Sequence, residues 1–81
     1  MPTADIRAQF FAILSKMLNV PQAQLTAQSS RESVAAWDSL KHLHLMLALE
    51  EEFGIEFSDQ ELSELTQAER LLEAVAAKIA A

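Results

Sequence analysis

One glycine and two prolines in 81 residues leave this chain few places where it must break. Backbone freedom at Gly54 and the missing N–H at Pro2 and Pro21 are the obligatory interruptions. Ala and Leu abound between them, and both favour helix. Length then limits the core: a chain of this size buries between roughly 60 and 70% of its unfolded surface. The apolar fraction of 51% is enough for a globular fold. Cysteine is absent, which excludes a disulfide framework, protein thiolate chemistry and sulfur-ligated zinc. Without such staples, well-matched helix packing has to hold the fold. So small a core also leaves little room for an enclosed catalytic pocket.

The spacing predicts four helices, three long and one short. From Thr3 to Leu18, Ile6, Phe10, Ile13, Leu14, Met17 and Leu18 recur at helical period. Thr3 is placed to cap this helix and Asp5 suits its first turn, while Asn19 and Pro21 end it. Phe11 lies off the main stripe. The periodicity then stops until Trp37, an uncommonly long connection for a compact domain. Leu25, Val34 and Trp37 favour an ordered loop pinned to the core, with a turn of helix near Arg31–Val34; disorder is the plainer alternative. Asp38 caps a second long helix that Gly54 stops, with Ile55 folding back towards Leu49. Ser58 to Glu61 forms a capping box for a short helix. A second box, Thr66 to Glu69, opens a last helix bearing Leu71, Leu72, Val75 and Ile79.

The charges of the second helix oppose its dipole. Lys41 and His42 occupy the first turn, and Glu50, Glu51 and Glu52 crowd the last. Each such misplacement costs about 0.3–1 kcal/mol when exposed. Either packing simply outweighs a solvated charge run, or the pattern serves a surface. Leu45, Met46, Leu49 and Phe53 form an inward stripe, and Leu40, Leu43 and Leu47 a second one turned away. With His44, Glu50 and Glu51, the second stripe has the format of a face that docks a partner. The alternative is a central helix buried on all sides.

Ser39 is the residue best placed for chemistry. It follows the cap, so its hydroxyl sits at the positive end of a helix, where phosphate is stabilised by free N–H groups. Taken alone, an Asp-Ser pair before an apolar run is most often only a cap. No catalytic set accompanies it. There is no glycine-rich phosphate loop, and His42 and His44, two apart, point away from each other and cannot share a metal. A Ser39–His42 pair without oxyanion donors makes a poor esterase. The expectation is not an enzyme, and no metal site.

Charge is divided along the chain. Residues 1–42 hold four basic and three acidic side chains, and residues 43–81 hold two basic and nine acidic, for a formal total of −6. The acidic half argues against nucleic acid and for basic protein partners. No apolar run approaches the roughly 20 residues of a membrane span. Asp5 and Arg7 interrupt the start and no small-residue cleavage site follows, so a signal peptide is not expected and a cytoplasmic monomer is.

Trp37-Asp38-Ser39-Leu40, then Leu43 to Leu49, then Glu50 to Ile55 resembles the acyl carrier protein family. The likeness runs from the first helix to Ala81, so residues 1–81 are expected to form one carrier-like domain. Its specific part is the placement of Ser39 fourteen residues ahead of Phe53, after a loop of this length. Ser30 to Val34 looks like the stand-alone carriers outside primary fatty acid synthesis. The resemblance implies an all-α four-helix bundle with a long ordered loop between helices 1 and 2. It implies that Ser39 bears 4′-phosphopantetheine, whose thiol holds acyl or aminoacyl groups as thioesters for fatty acid or secondary metabolite biosynthesis. Asp38 is similar to an aspartate that helps the modifying transferase bind magnesium, and equally serves as a cap. Leu40, Leu43, His44, Leu47, Glu50 and Glu51 match the family's partner face. The implied partners are a phosphopantetheinyl transferase, an acyl- or aminoacyl-loading enzyme and a downstream transferase. Two departures stand out: Ala36 replaces the usual glycine, and Lys41, His42 and His44 replace a first half that is often acidic. They point to dedicated partners, or to Lys41 screening a phosphate on Ser39. The competing reading is an unmodified acidic helical adaptor that binds a basic partner through the same strip.

Overall fold

Apolar residues four apart build α1, Thr3–Leu18, in a computed structural model that describes residues 3–80, with side chains from Ile6 onward. Ile6, Phe10, Leu14 and Leu18 are buried in one row, and Ile13 and Met17 pack partly buried beside them. The roles expected of Thr3 and Asp5 lie outside the described side chains. Phe11 is half-buried, its ring edge-on to Phe10 and covered by the Arg7 guanidinium at 5.1 Å. Asn19 takes a left-handed φ of 57° and stops the helix, with the Val20 N–H returning to the Ser15 carbonyl.

The long connection is ordered throughout. After Pro21 a single 3-10 turn, Gln22–Gln24, delivers Leu25 into the core. Ser29 is buried and accepts the Thr26 N–H at 2.9 Å. The turn expected near Arg31–Val34 is present: the N–H groups of Ser33 and Val34 both bond the Ser30 carbonyl. Trp37, almost wholly buried, closes the segment.

α2 spans Ser39–Phe53 and α3 Asp59–Glu64. Gly54 holds φ 63° and ψ 42°, and its N–H and that of Ile55 both reach the Glu50 carbonyl, as the sequence predicts for this stop. The capping box of α3 is complete, Ser58 accepting from Glu61 N at 3.1 Å and Glu61 from Ser58 N at 2.8 Å. α3 buries none of its own residues. Leu62 packs half-buried against the core, and polar ties add to it: Glu61 to Lys78 at 3.0 Å, and the Leu62 carbonyl to His42 at 2.7 Å.

α4, Ala68–Ala80, begins differently from expectation. The Thr66–Glu69 box does not form. Ala68 N–H bonds the Ser29 carbonyl at 2.8 Å and Glu69 N–H the Ala27 carbonyl at 2.9 Å. The long loop supplies the acceptors, so the helix needs no side-chain cap. An isolated bridge between Ser30 and Gln67 and a bond from Arg31 N to Thr66 O complete this seam. No strand occurs among the described residues.

The bundle closes over Phe10, Leu14, Leu18, Trp37, Leu45, Met46, Leu49, Leu71 and Val75, all nearly or wholly inaccessible. Each large side chain so buried contributes about 1.5–3 kcal/mol. α1 packs most extensively on α2, and both touch α4. The result is the all-α bundle of three long helices and one short one expected from the spacing. No helix among the described residues is long and apolar enough to cross a membrane.

Candidate functional site

Asp38 sets the geometry at the start of α2. Its extended backbone turns the chain into the helix, and its carboxylate accepts the Lys41 N–H at 2.8 Å. Ser39 is therefore the first helical residue, exposed, with its hydroxyl beside the N–H groups that have no partner within the helix. The Arg31 guanidinium reaches across the loop and donates from Nη2 to Ser39 Oγ at 2.7 Å. Arg31, Trp37, Asp38, Ser39 and Thr66 line an open cleft of about 460 Å³ at this point.

A buried brace lies beneath. Trp37 Nε1–H donates to His42 Nδ1 at 3.0 Å, and His42 Nε2 meets the Leu62 carbonyl at 2.7 Å. An indole nitrogen only donates, so Nδ1 accepts and Nε2 carries the proton. Burial lowers the His42 pKa from its ordinary 6.5; the Leu62 hydrogen bond opposes that and the positive Arg31 assists it. His42 is accordingly a neutral structural residue. The dipole conflict at this end reduces to Lys41, offset by the Asp38 carboxylate.

The second stripe is on the outside. Leu40, Leu43 and Leu47 expose 62, 46 and 54% of their surface, which excludes a helix buried on all sides. His44 and Glu51 are exposed on the same face. Glu50 is half-buried, and its carboxylate accepts the Phe57 N–H at 2.7 Å, turned to the α2–α3 connection. The structure thus places Asp38 and Ser39 at the N-terminal end of α2, the three leucines along its exposed face, and Glu50 partly in the α2–α3 connection.

A family model described as a phosphopantetheine attachment site matches residues 8–75. The chain belongs to that family. A phosphopantetheine-attachment domain is where 4′-phosphopantetheine is joined covalently to protein. The start of α2 fits such a group: an exposed hydroxyl, unpaired helix N–H groups and a guanidinium within one hydrogen bond.

Two residues of this attachment domain escaped sequence reading. His42 falls at the spacing 42, 45, 46, 49, which is the inward stripe, so the signal was there beneath its polarity. Arg31 carried no local signal, because its reach to Ser39 depends on how the loop is tied to α4.

Proposed function

We propose that Ser39 is the attachment residue and that residues 1–81 act as one carrier domain for acyl or aminoacyl groups. The observation that carries this is the Ser39 hydroxyl, exposed at the first position of α2 beside a cationic donor. When bound, 4′-phosphopantetheine supplies the terminal thiol that this cysteine-free chain lacks, and acyl groups ride on it as thioesters. Loading from coenzyme A makes a bond from Ser39 Oγ to phosphorus and breaks the donor's pyrophosphate bond. The nucleoside bisphosphate leaves, and the hydroxyl proton passes to a base of the transferase. Ser39 Oγ accepts from Arg31, so its own proton remains available for removal. Asp38 caps the helix start through the Lys41 N–H, and it is the residue that would help the modifying enzyme hold magnesium if it does more than cap.

Leu40, Leu43 and Leu47, with His44 and Glu51, form the face offered to the transferase, the loading enzyme and the downstream transferase. Apolar side chains this exposed on one helix, rimmed by charge, favour recognition by a partner. The chain itself serves as carrier and not as catalyst.

Incubation with coenzyme A, magnesium and a broad-specificity phosphopantetheinyl transferase is expected to add one phosphopantetheinyl mass. Ser39→Ala abolishes that gain and leaves the helical circular dichroism intact, because the side chain is exposed and carries no packing. An unchanged wild-type mass overturns the carrier reading in favour of the unmodified adaptor.

A further inference from the structure

Arg31 is placed by more than its own side chain. Its backbone N–H bonds the Thr66 carbonyl at 3.1 Å, and its neighbour Ser30 bridges to Gln67. Ser30 and Ser33 lock the same turn, Ser30 N–H donating to Ser33 Oγ at 2.9 Å. The loop is thereby fastened to the start of α4, eight residues before the serine that Arg31 touches. Arg31 is half-buried, and its guanidinium has five donors, of which one meets Ser39 Oγ.

No carboxylate claims this charge. The ion pair formed among the described residues joins Lys78 to Glu61, and the nearby Asp38 carboxylate accepts the Lys41 N–H through one oxygen. The cationic fork is thus held against a neutral hydroxyl, with the Glu32 and Asp38 carboxylates lining the same cleft but not paired with it. Once the hydroxyl becomes a phosphate ester, Oγ turns into a weak acceptor. Two non-bridging oxygens sharing a negative charge then stand one bond further out. Guanidinium matches such a pair in shape and charge better than any other side chain.

We propose that Arg31 anchors the phosphodiester on Ser39, exchanging its bond to the hydroxyl oxygen for a forked contact with the non-bridging phosphate oxygens after loading. This rests on the Ser39 reading. It also gives the cation of the loop a task of its own: Arg31 grips the phosphate from across the 30–39 segment. The root of the arm is then fixed against the 30–39 loop, leaving the leucine face of α2 open for partners.

Guanidinium proton and nitrogen resonances of Arg31, recorded on the full chain before and after loading, test this directly. Intact mass establishes separately that loading has occurred. With the mass gained, Arg31 Nη–H resonances are expected to move downfield and exchange more slowly, and the phosphorus resonance to differ between wild type and Arg31→Gln. Arg31→Lys, which keeps charge without the fork, restores only part of that phosphorus shift. Mass gained with unmoved Arg31 resonances overturns the anchoring role, whatever the variants do. No mass gained removes the Ser39 reading and the anchoring role with it. The comparison within the wild-type protein stands even if a variant fails to fold.

Discussion

Removing the His42 imidazole leaves the Trp37 indole N–H and the Leu62 carbonyl without partners, one buried and one partly so. Each such orphan costs about 1–3 kcal/mol, so His42→Ala is expected to lose about 2–4 kcal/mol in urea unfolding. The same residue makes stability depend on pH. Its folded pKa lies below 6.5, because burial disfavours the cation. The unfolded chain therefore takes up the proton first as pH falls. The His42 contribution is complete above the unfolded value of about 6.5 and is lost as pH falls through the lower folded value. Urea midpoints at pH 7.5 and 5.5 should diverge in the wild type and converge in His42→Gln. Equal divergence in both proteins would place the dependence elsewhere. His42 was readable from its spacing, whereas the contact from Arg31 to Ser39 was not. Periodicity reports which face a residue occupies, and says nothing of what a loop eight residues away brings to it.

Among the elements, α1, α2 and α3 followed from short-range chemistry: a four-residue apolar row, the Asp38 cap, the left-handed Gly54 and the Ser58 box. The start of α4 did not, because its N–H groups are satisfied by Ser29 and Ala27, partners some forty residues earlier. A capping motif is written locally and competes with any acceptor the tertiary fold supplies. The outer face of α2 was legible as a second stripe. Its leucines are exposed, so Leu43→Ser or Leu47→Ser should change unfolding free energy by no more than about 0.5 kcal/mol. Affinity for the phosphopantetheinyl transferase, titrated by calorimetry, should fall about tenfold or more for each. Unaltered affinity would remove the leucines from the docking face. Glu50 behaves as a member of the α2–α3 connection as much as of that face, since Phe57 N–H already occupies its carboxylate.

The whole molecule carries its formal charge of −6 unevenly, and the fold aligns that division with α2. Arg31 and Lys41 stand at the end that bears Ser39; Glu51 and Glu52 stand exposed at the other. A partner guided by this field would meet the acidic end with its own cations. Association should weaken with added salt, because exposed charges are screened within roughly 8 Å at physiological ionic strength. Glu51→Lys should slow association and flatten the salt dependence without altering stability; an unchanged salt slope would argue that the leucines alone direct docking. All of this hangs on which hydroxyl is modified. Trypsin, cutting after Arg31 and Lys41, releases Glu32–Lys41, a peptide containing both Ser33 and Ser39. Fragment masses of that peptide from the loaded protein should carry the phosphopantetheinyl increment on the Ser39 side of Trp37. An increment on Ser33, or on a serine of another peptide, would contradict the assignment of Ser39.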